Sequence, residues 1–401
     1  MAFSKPDRAA DAIARPKRIL IIKPSSLGDI VHALPVLAAL RRANPGAHIA
    51  WLASRSFAAL LDGHPLLDEV IVFDRARYGK MLRSGRALGE FLRFLRELRR
   101  RRFDLVVDLQ GLFRSGFLAF ASGAEQRVGF AAARESAGLF YTQRVRCPPD
   151  ARHAVDKNLC VVAALGLRTD RPEFPLGLRL EEIRAAKTLL TTAAGRPLKT
   201  FTAVIPGARW ESKRWRPERI AALIDRMHEE SLPSCVLLGS AADRPFADRV
   251  VAACHSPAID LVGRTSLREL AALLGLSDRV ICHDSGPMHI AAALDKPLVA
   301  IFGPTDPEVT GPYRCPKEGA FGTRPTFRVV ATPIECSPCR LRTCDHHSCM
   351  EQLAVETVLA QVREIGAGVF GRRAADGPRI GTGVPEVAAA PVRPGATAPW
   401  R

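Results

Sequence analysis

Short apolar runs alternate with longer amphipathic stretches through most of the 401-residue chain. Residues 18–23, 48–53, 69–73, 103–109 and 127–130 are apolar runs bounded by polar or turn residues, which predicts strands. Helical patterns lie between them, notably over 29–43 and 86–102. A stretch with Pro, Gly and Thr at 191–199 interrupts the pattern, and a second series follows. Its strands are predicted at 201–205, 235–238, 259–262, 280–282 and 298–302, its helices at 217–230, 243–254, 267–276 and 286–294, with a last helix over 351–365. Strands that alternate with helices build parallel sheets, because parallel neighbours need a crossover connection. Two such series predict an α/β chain of two doubly wound, Rossmann-like domains facing across a cleft. From about residue 371 the chain is rich in Gly, Pro, Ala and Arg without periodicity, which predicts no ordered structure.

In open parallel sheets ligands sit beyond the carboxyl ends of the strands, where helix N-termini present free N–H groups. One strand runs directly into His283-Asp284-Ser285-Gly286-Pro287-Met288-His289. Asp284, Ser285, Gly286 and His289 thus surround a seat for a phosphate or phosphorylated sugar. The first strand ends in Lys23-Pro24-Ser25-Ser26-Leu27-Gly28-Asp29, and Asp29 has two readings. Ser26-x-x-Asp29 is a capping box, which explains the carboxylate without catalysis. Gly28 beside it leaves room for a ligand near the backbone, and a carboxylate there is placed to take a proton from a hydroxyl nucleophile. Lys213 follows the first strand of the second series. It either neutralises charge on a departing diphosphate or is a surface lysine beside Trp210 and Trp215. Asp243 either accepts ribose hydroxyls or caps the next helix.

Composition narrows the classes. The chain is 47% hydrophobic and 25% charged, with Lys and Arg exceeding Asp and Glu by 58 − 41 = 17. Such a field favours acidic partners. Arg93, Arg96, Arg99, Arg100, Arg101 and Arg102 share a predicted helix with an apolar side of Leu88, Phe91, Leu92, Leu95 and Leu98. That helix either lies on an anionic membrane surface or packs on its own sheet. No apolar run approaches the roughly 20 residues of a spanning helix, and the polar N-terminus has no signal core, so the expected location is cytoplasmic. G-x-G-x-x-G and G-x-x-x-x-G-K-[ST] are both absent, which counts against dinucleotide oxidoreductases and P-loop NTPases. Ten cysteines in an intracellular chain predict thiols. Cys336, Cys339, Cys344 and Cys349, with His346 and His347 among them, form either a closed zinc site or a loop of reduced thiols.

Taken together the motifs resemble the family 9 glycosyltransferases, the heptosyltransferases that build the inner core of bacterial lipopolysaccharide. The resemblance covers about residues 18–362. It rests on residues 25–32, Asp108-Leu109-Gln110-Gly111-Leu112, Arg127-Val128-Gly129-Phe130, Arg134-Glu135-Ser136, His153-Ala154-Val155-Asp156-Lys157-Asn158, residues 206–215, residues 283–294 and Phe302-Gly303-Pro304-Thr305-Asp306-Pro307. It implies the GT-B fold and metal-independent, inverting transfer of heptose from ADP-heptose without a cofactor. The implied domains are a flexible N-terminus (1–16), an acceptor domain (17–185), a donor domain (186–350), a C-terminal helix (351–366) and a disordered tail (367–401).

The resemblance makes Asp29 the catalytic base and places Gly28, Lys213, Asp243, Asp284, Ser285, Gly286 and His289 at the donor. Arg75, Arg77, Lys80, Arg134 and His153 fall to an anionic, lipid-linked acceptor at the inner-membrane surface, with no nucleic acid partner. The N-terminal half is similar to the enzyme that adds the first heptose to Kdo–lipid A. The Pro206-Gly207-Ala208 loop and the cysteine cluster are similar to the one that adds the second, to heptosyl-Kdo–lipid A. The competing readings are another nucleotide sugar or acceptor glycan, a GT-B nucleotide-sugar epimerase, and a non-catalytic basic protein.

Overall fold

A computed structural model describes residues 16–79, 83–168, 171–313 and 327–367. Lys80 lies outside these residues, as do both expected disordered termini apart from Pro16 and Ala367. The first sheet contains β1 (Arg18–Ile22), β2 (His48–Ser54), β3 (Glu69–Phe73), β4 (Leu105–Asp108), β5 (Gln126–Phe130) and β6 (Gln143–Val145), in the order β3-β2-β1-β4-β5-β6. The second contains β7 (Thr202–Ile205), β8 (Cys235–Leu237), β9 (Ile259–Asp260), β10 (Arg279–His283), β11 (Leu298–Phe302) and β12 (Phe327–Ala331), in the order β12-β11-β10-β7-β8-β9. Every pairing is parallel, with Ile19 facing both Ile49 and Leu105 in register. Both sheets therefore share the doubly wound order, and each reverses direction beside its first strand, where such folds bind ligands.

The central strands are apolar on both faces because helices cover both, and Ile19, Leu20, Ile21 and Ile22 are fully buried. The edge strands β6 and β12 escaped the pattern reading. β6 is three residues long with Gln143 and Arg144 exposed, and β12 is only half buried, so neither reads as a core run. Helix Leu27–Ala43 is buried all round from Ile30 to Leu40, packed against both helix Ala154–Ala164 and helix Gly286–Ala293 of the second half. A single apolar cluster consequently runs from β1 through this helix to Met288, Ile290 and the second sheet.

Two expectations change. The boundary at 185/186 falls inside helix Leu180–Ala194, which packs on helix Leu267–Leu276 of the second domain. The basic helix, Gly85–Arg100, buries Ala87, Phe91, Phe94 and Leu98 against its sheet and leaves Leu88 and Leu92 exposed. The sheet takes a narrower stripe than the apolar positions suggested.

Candidate active site

The helices that leave β1 and β10 meet at their N-termini. A Cβ on Gly28 would lie 2.3 Å from Cδ2 of His289, and one on Gly286 would lie 2.5 Å from Cδ2 of Leu27. Gly28 makes room for an imidazole of the other domain, not directly for a ligand as the sequence suggested. His289 Nδ1 shares a hydrogen bond of 2.9 Å with Nε2 of His32, one turn beyond Asp29. His153 packs edge-on against His32 with ring centroids 4.9 Å apart. All three imidazoles are buried, and burial first of all holds each below the ordinary histidine range, His289 at about 4.

Asp29 Oδ2 accepts from both the backbone N–H and the hydroxyl of Ser26 at 2.8 Å, so the capping arrangement is present. Its Oδ1 lies 3.7 Å from Lys23 Nζ, and 39% of the side chain stays open. Burial alone would raise the Asp29 carboxyl, but Lys23 and the Ser26 hydrogen bonds outweigh it and hold the carboxyl below its usual range. Lys23 is itself fixed by donating to Leu109 O at 2.8 Å. Cap and available carboxylate are the same residue.

On the facing wall Lys213 Nζ donates to Asp284 Oδ2 at 2.6 Å, and Thr305 and Thr310 donate their hydroxyls to the same oxygen at 2.6 and 3.2 Å. Lys213 also stands 4.5 Å from the Trp210 ring centroid. Neither residue is a free surface charge; the two form a partly buried ion pair beside the helix N-terminus. Ser285, the N-cap of helix Gly286–Ala293, has a buried Oγ with no hydrogen-bond partner among the described residues. His283, behind it, accepts from Trp215 N–H at 3.0 Å and is therefore neutral. Thr305 and Thr310 were missed from sequence; only the fold brings their hydroxyls to Asp284.

Asp243 Oδ2 accepts from Ser240 N–H and Oγ at 2.9 and 2.7 Å, a cap in the same sense as Asp29. Gly207 lets it approach the loop after β7, since a Cβ there would meet Asp243 Oδ1 at 2.1 Å. Arg75 and Arg134 are exposed beyond the carboxyl ends of β3 and β5, and Arg77 pairs with Glu90 at 2.5 Å. His153 departs from the acceptor reading. Its Nδ1 accepts from Val155 N–H and its Nε2 donates to Gly311 O at 3.0 Å, so both nitrogens are committed within the protein.

The four thiols at 336, 339, 344 and 349 are free and border, with Ser212 and His346, a cavity of about 40 Å³. Among the described residues no group of three or more His, Cys, Asp or Glu side chains is arranged to hold a metal ion. What this loop does do is brace the Lys213 turn: His347 Nε2 reaches Ser212 O at 2.7 Å, and Ser212 Oγ donates to Leu341 O at 2.6 Å.

Two doubly wound domains meeting at their switch points, a carboxylate on one wall and a phosphate-type seat on the other, have the architecture of the GT-B glycosyltransferases. A glycosyl transferase family 9 structure from Veillonella parvula superposes with a TM-score of 0.75 at 23% identity, covering 89% of this chain and 99% of that one. E. coli heptosyltransferase WaaC with ADP gives 0.68 at 25% identity, covering 87% and 99%. Lipopolysaccharide heptosyltransferase 1 of Pseudomonas aeruginosa is 31% identical over 332 residues, 82% of this chain and 88% of that protein. The family described as glycosyltransferase family 9 (heptosyltransferase) matches residues 91–347. The chain belongs to glycosyltransferase family 9 and is a glycosyltransferase.

Proposed function

We propose that the protein transfers heptose from ADP-heptose, with inversion, to a hydroxyl of the lipopolysaccharide inner core, with Kdo–lipid A as acceptor. The observation that carries this reading is the opposition of Asp29 to the Lys213–Asp284–Ser285 seat across His289, which feels the charge of both carboxylates. The 31% identical relative, lipopolysaccharide heptosyltransferase 1, supports heptosyl transfer in lipopolysaccharide assembly.

In this mechanism the acceptor hydroxyl oxygen attacks the anomeric carbon while the bond from that carbon to the β-phosphate oxygen breaks. The hydroxyl proton passes to Asp29 Oδ1, the oxygen not held by Ser26. Its depressed pKa keeps Asp29 ionised at neutral pH, ready to accept. Lys213, Ser285 Oγ and the N–H groups opening helix Gly286–Ala293 take the charge that develops on ADP. Asp243 takes the ribose side of the nucleotide. Arg75, Arg77 and Arg134, with Lys80, pair with the anionic acceptor, and His153 acts as a positioning residue behind His32. A lipid-linked acceptor brings the protein to the inner membrane as a peripheral partner; among the described residues no helix is long and apolar enough to cross a membrane.

The test is turnover of ADP-heptose with Kdo–lipid A and with heptosyl-Kdo–lipid A, products read by mass spectrometry, with and without EDTA. Heptosyl-Kdo–lipid A should form from the first acceptor, none should form from donor alone, and EDTA should leave the rate unchanged because Lys213 and the helix N-terminus supply the positive charge. Turnover of donor without acceptor, or a rate lost to EDTA and restored by magnesium, would overturn the reading.

A further inference from the structure

Phe113, Phe120 and Leu139 are 51%, 55% and 75% exposed, although a phenylalanine or leucine is ordinarily buried. They surround one ring: Phe140 has its centroid 5.2 Å from that of Phe113 and 6.1 Å from that of Phe120. The knot is built rather than loose. A Cβ on Gly116 would lie 2.8 Å from Phe140 Cδ2, so the glycine is what admits the ring onto helix Phe113–Ala121. Arg127 donates to Phe140 O at 2.8 Å and stands 5.8 Å from the Phe120 centroid. Arg114, Arg134 and Arg144 are exposed in the same segments, with one carboxylate among them, Glu135, which accepts from Phe113 N–H at 3.3 Å. An apolar knob flanked by more arginines than carboxylates matches an anionic lipid surface, where rings enter the headgroup region and guanidinium groups meet phosphates.

Position supports this use. Phe113 opens the helix that leaves the carboxyl end of β4, and Asp29 follows the carboxyl end of β1, its neighbour in the sheet. A second basic surface is a pocket of about 640 Å³ lined by Arg96, Arg99, Arg100 and Arg102, with Asp104 and Glu125. It lies at the amino ends of β4 and β5, opposite the strand ends that carry Asp29 and Phe113. Contact there would turn the cleft away from the lipid.

We propose that the Phe113–Phe120–Leu139 knob and its flanking arginines are the surface that docks this protein on an anionic membrane, presenting the cleft to its acceptor. This rests on the reading of a lipid-linked acceptor. The test is sedimentation of the full chain with phosphatidylcholine vesicles, with and without phosphatidylglycerol, at low and high salt. The wild type should bind phosphatidylglycerol vesicles and release as salt rises. Phe113→Ser, Phe120→Ser and Leu139→Ser together should weaken partitioning by about tenfold or more. Leu139→Ser alone, at a position too exposed to disturb folding, should weaken it by about threefold. Both variants should keep wild-type ADP binding. Changing Arg96, Arg99, Arg100 and Arg102 to Gln should cost less than the triple change. A triple variant that binds like wild type while the Gln variant is lost would overturn the assignment and leave membrane association standing. Wild type that stays unbound at low salt would remove both. Dimers that the triple change dissolves, without vesicle binding, would give the face to a second copy of the chain and overturn the proposal.

Discussion

Asp29 uses one carboxylate oxygen to cap helix Leu27–Ala43 and leaves the other beside Lys23. The Ser-x-x-Asp spacing makes the cap legible in the chain; which oxygen remains free depends on where the folded sheet puts Lys23. In Asp29→Asn the amide oxygen still accepts from Ser26, so folding and ADP binding should persist. Loss of the proton acceptor should slow transfer by about a hundredfold or more. Single-turnover rates with ADP titration as the folding control test this, and a rate near wild type would reduce Asp29 to a helix cap. At the same scale Lys213 shows what spacing misses. A lysine between tryptophans reads equally as surface or site, and its bond to Asp284, 71 positions away, takes it off the open surface into a partly buried pair.

Among the elements, the two helices that leave β1 and β10 matter most, because each has a glycine where the other presses a side chain. Gly28→Ala puts a methyl group into the His289 ring. It should cost about 1–3 kcal/mol by overpacking and should lower kcat by shifting the two walls apart. Gly89→Ala, on the exposed side of a helix with open space around it, is the control and should be neutral or slightly stabilising. Thermal unfolding of both variants checks the pair; equal melting temperatures would mean that the domains yield freely at this contact. The all-round hydrophobicity of residues 30–40 already signals a helix buried on every side. Its partner on the outer side, helix Gly286–Ala293, is about 250 residues away and invisible to periodicity.

Across the whole molecule, the domains are tied by groups that must keep a particular charge. Arg268 donates to both oxygens of Glu182 and to the carbonyls of Leu60, Leu176 and Gly177, joining helix Leu267–Leu276 to the end of the first domain. Burial would raise Glu182, yet Arg268 and Arg179 hold it at about 2. Arg268→Met leaves that carboxylate to Arg179 alone and takes the donor from three carbonyls, and should cost about 3 kcal/mol, read by denaturant unfolding. The neutral imidazoles act in the same direction of pH, in a higher window. His283 and His289 are held at about 4 against an ordinary 6.5, so the unfolded chain takes up protons first. Their contribution is complete above about 6.5 and is lost as pH falls toward 4. The melting temperature should drop by several degrees between pH 7 and pH 5. His289→Gln should flatten the slope, and an unchanged slope would assign the acid sensitivity elsewhere.

The amino-acid sequence by itself determined the strand–helix alternation, the two parallel domains, and the junctions at Asp29 and at 284–289. Those depend on local patterning and on turn chemistry, which a chain carries wherever it folds. Only the tertiary structure decided that Gly28 accommodates His289, that His153 spends both nitrogens on the protein, that Thr305 and Thr310 join Asp284, and that the cysteine loop braces Lys213. Apart from the local Val155–His153 bond, these are contacts between segments about 20 to 260 residues apart. Whether a polar group meets a partner or faces the cleft is set by how such distant segments pack, within a domain or across the two.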